Sequence, residues 1–385
     1  MKILISPSGF KESLNPCVAA DCIEAGILRV VPDAIIRKAP LVDGGEGFAR
    51  ALVKETGGVL RYLTVTGPTR EPVQSHYGII HINGLKTAVI EMAAAAGLSL
   101  VPRGSRNPCI TTTYGVGELM VAALAEDVQQ ILLGCGDSGT SDGGAGMLQA
   151  LGAQLLDRNG RELERAGGGR TLAELVDIDV SGLQPRLSEV NIEAPCNWKN
   201  VLCGPHGVAQ VYGPQKGASP EQVKQLASAL ERYASVVGRK LGSDISRAPG
   251  SGASGGLGTA LMLVGAKLRP RYEAITEYFG FDGLFEGCQL VFTAEGAIDF
   301  QTPEGKIPAE IAMRAKKHGL PVIALVGTIG LDADTNYQIG IDAYVSMLQC
   351  PTTLETAIDE AEQLLKDSAE SAMRMVMVGR SLEDR

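Results

Sequence analysis

The chain is short of aromatic residues, histidines, paired cysteines and long apolar runs, and each shortage removes a class of function. Aromatics make up 4% of the 385 residues, with a single Trp, so the core has to be assembled from Ala, Val, Leu and Ile. The four histidines, His76, His81, His206 and His318, show no HExxH-like spacing. That argues against a histidine metal centre and against a Ser-His-Asp relay. Eight cysteines are scattered without a CxxC pair and read as reduced thiols. No apolar run approaches the roughly 18 residues that span a bilayer. The opening MKILIS reads as a strand rather than a secretory leader, so a cytoplasmic protein is expected. The formal net charge is −9 without a Lys/Arg stripe, a poor match to nucleic acid or an anionic membrane.

Glycine, by contrast, is plentiful. The 48 glycines exceed the usual share of about 7%. They cluster in loops, which points to close backbone approach there. The length suggests two domains at about 100–200 residues each. Both ends of the chain alternate strand and helix, the signature of a parallel sheet covered on both faces. Between about 60 and 92 the runs RYLTVTG, SHYGIIHI and KTAVIEMA follow one another without helices, which suggests a mixed sheet. The expectation is an α/β protein. Residues 1–72 and 286–385 would form a Rossmann- or flavodoxin-like domain from both chain ends, with a mixed α+β domain, 73–285, inserted. The stretch 157–200 reads as looser and polar.

Six loops could carry chemistry. LVDGGEG places Asp43 and Glu46 after a strand, where open α/β sheets bind ligands, either as a carboxylate pair or as a capped turn. In LLGCGDSGTSDGGAG (132–146), Gly134, Gly136 and Gly139 satisfy G-x-G-x-x-G with Asp157 about 20 residues on, a dinucleotide fingerprint. Ser138, Thr140, Ser141 and Asp142 of that loop could instead cap a helix or contact phosphate. Lys216 in YGPQKGAS is a lone cation between glycines. Gly255, Gly256 and Gly258 form either an anion cradle or a close helix contact. FTAEGAIDFQTPEGK (292–306) carries Glu295, Asp299 and Lys306, and PSGFKESL (7–14) carries Lys11 and Ser13. Two carboxylates followed by a lysine at a helix start suit metal-assisted phosphoryl transfer. G-x-x-x-x-G-K-[ST] does not occur, which excludes a P-loop.

Taken in order, these segments resemble bacterial glycerate kinase of the type that makes 2-phosphoglycerate. The family's PDSFKGSL reads PSGFKESL here, and MADGGEG reads LVDGGEG. EMAxASGLxLVPxxxRNPxxTTSYGVGEL reads EMAAAAGLSLVPRGSRNPCITTTYGVGEL over 91–119, and GGSATNDGGAGMLQALG reads GDSGTSDGGAGMLQALG. GPQKGA is intact, GAAGGLG reads GASGGLG, and GEGRIDxQTxxGK reads AEGAIDFQTPEGK. The resemblance implies a two-domain α/β enzyme with its site in the interdomain cleft, using ATP with Mg²⁺ and D-glycerate as acceptor.

Combined with the residue reading, it assigns catalysis to Asp43, Asp299 and Asp142. Acceptor binding falls to Lys11, Ser13, Glu46, Ser138 and Lys306, and nucleotide phosphates to Lys216, Gly255, Gly256 and Gly258. Asp299 and Glu295 are assigned to the metal. The partners are a small hydroxy acid and a nucleotide, with neither nucleic acid nor membrane, and a homodimer is left open. The chain departs from the family pattern at Ser8, Gly9, Ser141, Asp137, Asn197, Ala294 and Ala297, where the family's Asp and Arg residues are among those replaced. A changed acceptor, a catalytically silent paralogue and, from the G-x-G-x-x-G match, a nicotinamide oxidoreductase are the alternatives.

Overall fold

The computed structural model describes residues 1–10, 13–41, 44–278 and 281–383, so Lys11 and Asp43 lie outside the described residues. The strands in chain order are β1 (Lys2–Ile5), β2 (Ile35–Lys38), β3 (Val59–Thr66), β4 (Pro72–Ile82), β5 (Leu85–Glu91), β6 (Gln130–Gly134) and β7 (Gln154–Leu156). After them come β8 (Asp177–Asp179), β9 (Asn191–Cys196), β10 (Lys267–Pro270), β11 (Leu290–Ile298), β12 (Val322–Ile329) and β13 (Ala343–Ser346). The chain divides into two compact units, one of Met1–Asp43 with Thr276–Arg385, the other of Gly44–Ile275.

The first unit is built on a five-stranded sheet in the order β13-β12-β11-β1-β2, with every pair parallel. Its inner strands are mostly apolar, as expected for strands covered on both faces. Ile3, Ile5, Phe292 and Leu325 are buried. On one face, helix Pro16–Leu28 packs against helix Ala361–Glu383. Asn15 starts the first of these by accepting from Val18 N at 3.0 Å, with Pro16 in the first turn, where its missing N–H has no cost. Gly26 lets the two helices close, because a Cβ there would strike Lys366 O.

The second unit holds a six-stranded sheet, β10-β9-β6-β5-β4-β3. β3, β4 and β5 form an antiparallel meander, and β5, β6, β9 and β10 run parallel. Both sheets therefore match the expected α/β class. The division of the chain falls after Asp43 and after Ile275, rather than near 72 and 286. β3 pairs with β4 from Val59↔Ile79 to Thr66↔Pro72, which ties it to the meander. The stretch 157–200 is not loose throughout, since it contains β9 inside the sheet. The sequence NIEAPC masks this strand because Glu193 interrupts the apolar run. In the fold Glu193 faces Arg269 of β10 at 3.1 Å, a largely buried cross-strand ion pair. Among the described residues, no helix is long and apolar enough to cross a membrane.

Candidate active site

In the first unit, β1 is followed by β2 on one side and flanked by β11 on the other, so the strand order reverses between β1 and β11. Ligands of open α/β sheets bind at such a switch point, outside the carboxyl ends of the strands. The loop after β1 continues the pairing there. Ser6 N donates to Phe292 O at 2.8 Å, and Ser8 donates to Ala294 O through its N at 2.8 Å and its Oγ at 2.9 Å.

Past the end of β11 the chain turns sharply at Asp299. Asp299 N donates to Thr302 Oγ1 at 3.1 Å, Gln301 N donates to Asp299 Oδ1 at 2.9 Å, and Asn336 Nδ2 donates to Asp299 O at 3.0 Å. Lys306 Nζ stands 3.3 Å from the same Oδ1 and 3.5 Å from Ala297 O. Oδ2 of Asp299 carries no hydrogen bond among the described residues. Lys306 is also the N-cap of helix Ile307–Lys317, which no side chain caps among the described residues. A half-exposed carboxylate, a lysine and an open helix N-terminus thus converge on one turn, a setting suited to phosphate and to a cation bridging it.

Glu295 does not share that turn. It lies four positions before Asp299, within β11. Among the described residues no cluster of three His, Cys, Asp or Glu side chains forms. Ser13 Oγ donates to Ile358 O at 3.4 Å, within the same unit.

The glycines of the second unit have a packing explanation. A Cβ on Gly136 would lie 2.6 Å from Gly45 Cα, one on Gly134 2.6 Å from Gly44 O, and one on Gly139 2.8 Å from Gly97 O. The space that a pyrophosphate needs over a dinucleotide fingerprint is filled by the Gly44–Gly45 backbone, and the next helix opens only at Ala145. The G-x-G-x-x-G match is therefore a backbone-to-backbone contact. Gly255, at φ +71°, behaves likewise, because a Cβ there would collide with Thr140 O; Gly258 is pressed against Gly250 O, and Gly256 lies on Gly143 Cα.

Asp142 and Lys216 are buried, at 1% and 3% exposure. Oδ2 of Asp142 accepts from Thr113 N at 2.8 Å, Thr113 Oγ1 at 2.9 Å and Gly146 N at 3.2 Å, and Oδ1 accepts from Gly144 N at 3.1 Å. Burial raises its pKa, and these donors pull it back. Lys216 Nζ donates to Ser138 Oγ at 2.8 Å and to Thr140 O at 2.6 Å. Burial pulls it down to about 7, opposed by the charge of Asp142. Both groups thus tie the 138–146 loop in place, with their polar atoms directed at protein partners. Glu46 is exposed, and its N donates to Asp137 Oδ2 at 3.1 Å.

Two participants escaped the sequence reading. Thr113 shares Asp142 with the 142–146 turn, and Glu91, at the end of β5, accepts from Gly47 N at 3.2 Å and Ala49 N at 2.8 Å. The run of three threonines at 111–113 was the available signal for the first; Glu91 had none beyond its place at a strand end.

Residues 3–377 match the Glycerate kinase family. The chain is a member of that family. It is 42% identical over 383 residues to the glycerate kinase of Bacillus subtilis (strain 168), covering 99% of each chain, and 44% identical over 358 residues to the glycerate 2-kinase of Escherichia coli (strain K12), covering 93% of each. The crystal structure of a protein described as a glycerate kinase 2 from Salmonella typhimurium LT2 superposes with a TM-score of 0.80 at 41% identity over 99% of both chains.

Within this glycerate kinase family member, the departures from the family pattern have defined places. Ser8 is buried and bonded to β11, Ser141 is buried, and Asp137 adopts φ +48° while holding Glu46 N. Asn197 Oδ1 accepts from Lys199 N at 3.0 Å in a turn. Ala297, at the Arg position, presents only its backbone O to Lys306.

Proposed function

We propose that the chain transfers the γ-phosphoryl group of ATP to a hydroxyl of D-glycerate, giving 2-phosphoglycerate. The observation that carries this reading is the Asp299–Lys306 pair at the switch point of a parallel sheet, in a chain of this family. The acceptor oxygen attacks the γ-phosphorus, the bond to the β–γ bridging oxygen breaks, and the hydroxyl proton passes to a carboxylate.

Asp299 and Asp43 are the two carboxylates assigned to this step, one as base and the other beside the metal. Mg²⁺ suits Asp299, since that ion is commonly held by one or two carboxylates together with phosphate oxygens and water. When bound, it offsets charge on the β- and γ-oxygens. Lys306 balances the transferred phosphate, Lys11 and Ser13 are assigned to the acceptor carboxylate, and Glu46 and Ser138 to its hydroxyls. Asp142, Lys216, Gly255, Gly256 and Gly258 act as positioning residues, because their polar atoms or their free space are already taken up by protein. The eight free cysteines suit a reducing cytoplasm.

A coupled assay for ADP with Mg²⁺-ATP and D-glycerate, followed by phosphorus NMR of the product, tests the reading. One ADP per 2-phosphoglycerate is expected. Phosphate on the terminal hydroxyl, or no turnover, refutes it. Ala297 favours a second reading, a different small hydroxy acid, because an alanine lacks the bidentate group for carboxylate or phosphate that an Arg offers at that position of the family pattern. Faster turnover of another acid in a panel of hydroxy acids would select it.

A further inference from the structure

We propose that Glu91 is a positioning residue for phosphoryl transfer, holding the Gly44–Gly47 loop in register by capping the next helix from strand β5. This rests on the reading of that loop as part of the acceptor site.

Helix Phe48–Thr56 begins at Gly47, which sits at φ +91° and offers no side chain to cap it. The first N–H groups of a helix need acceptors, and a carboxylate there also meets the positive end of the helix dipole. Glu91 supplies both needs from another element. Its Oε1 accepts from Gly47 N and its Oε2 from Ala49 N, while the residue itself is only 2% exposed.

The loop is then gripped on its other sides. Asp137 Oδ2 accepts from Glu46 N, and the Gly134–Gly136 backbone leaves no room for the loop to shift toward β6. Behind Glu91 stands His76 on β4, with Nε2 at 3.5 Å from Oε1. The charged groups that face Glu91 are Glu46 and Arg50, and His76 is close to Tyr62 as well. Burial, then Arg50, pulls His76 down to about 4, so it stands behind the carboxylate as a neutral ring. Burial raises the pKa of Glu91, and the two N–H groups pull it back.

This arrangement is more than a core contact. A buried acid has been placed where, among the described residues, its hydrogen-bond partners are the backbone N–H groups of the loop's last residue and of the helix it opens. An amide in its place can accept through one oxygen only and presents N–H₂ to the other donor.

The test uses Glu91→Gln and Glu91→Asp in the full chain, with D-glycerate and Mg²⁺-ATP. Expected for Glu91→Gln is a roughly ten- to hundredfold loss of kcat, with both KM values within about threefold. Faster amide exchange at Gly47 and Ala49 should accompany it. Glu91→Asp, which keeps the charge but shortens the reach, should show the same changes at smaller size, and it serves if Glu91→Gln fails to fold. Unchanged kcat in the folded Glu91→Asp variant, or unchanged exchange at both amides, overturns the proposal. Loss of stability with kcat per folded molecule intact does so too, since a purely structural acid behaves that way. A wild-type protein inactive on D-glycerate sinks the functional reading instead, a separate result.

Discussion

Replacing Lys216 with methionine tests whether this lysine is a buried tie or a free phosphate ligand. The side chain stays unbranched, one heavy atom shorter, and loses its charge. In the folded protein burial holds Lys216 at about 7, against 10.5 for an ordinary lysine. The unfolded chain therefore keeps a proton that the folded chain sheds between about pH 7 and 10.5. Stability should climb with pH through that window, and the cost of burying the charge is fully present below it. From about pH 7.0 to 8.5, linkage gives a rise of about 1.5 kcal/mol. Wild type should show this rise in urea titrations followed by circular dichroism, and Lys216→Met should lack it. Buried thiols and tyrosines are common to both proteins, so the difference between them isolates Lys216. The variant should also lose turnover, because Ser138 Oγ and Thr140 O lose their shared donor. Parallel pH slopes in the two proteins would refute the argument.

Three further substitutions bear on the site. Asp299→Asn should lower kcat by roughly a hundredfold while the fold persists, since Thr302 and Asn336 hold its backbone rather than its carboxylate; turnover within about threefold of wild type contradicts the assignment. Gly136→Ala should destabilise by about 1–3 kcal/mol through overpacking against Gly45, read from the urea midpoint. An unchanged midpoint would mean that the close approach is unimportant. Asp142→Asn should cost about 2–3 kcal/mol, because an amide leaves one of its converging N–H donors buried without an acceptor; a urea midpoint equal to wild type would count against that.

The parallel sheet was legible because the first halves of β11 and β12 are nearly unbroken apolar runs, so burial on both faces shows in the sequence itself. β9 was not, because the partner that makes Glu193 tolerable in a strand, Arg269, lies 76 residues away. Asp299 and Lys306 stood out by chemistry and spacing. The glycine clusters stood out too, but a glycine reserved for a ligand and one reserved for another backbone are identical in sequence. Only the positions of Gly45 opposite Gly136 and Thr140 opposite Gly255 tell them apart. Lys216 posed the same problem, since burial decides whether its charge meets a phosphate or a neighbouring carbonyl.

The pairing of β1 with β11 has a consequence for biosynthesis. Ser6 and Thr293, joined by a hydrogen bond at 2.9 Å, are 287 residues apart. At translation rates of about 5–20 residues per second, β1 waits roughly 15–60 s for the strand that lies beside it. The contiguous Gly44–Ile275 segment can meanwhile complete its own sheet. Through that interval the KILI strand has an open, apolar edge, the kind of surface that pairs with other nascent chains. The step most exposed to aggregation is therefore the wait for β11, and a chaperone that shields the first strand would raise the yield of folded protein more than one acting on the inserted segment.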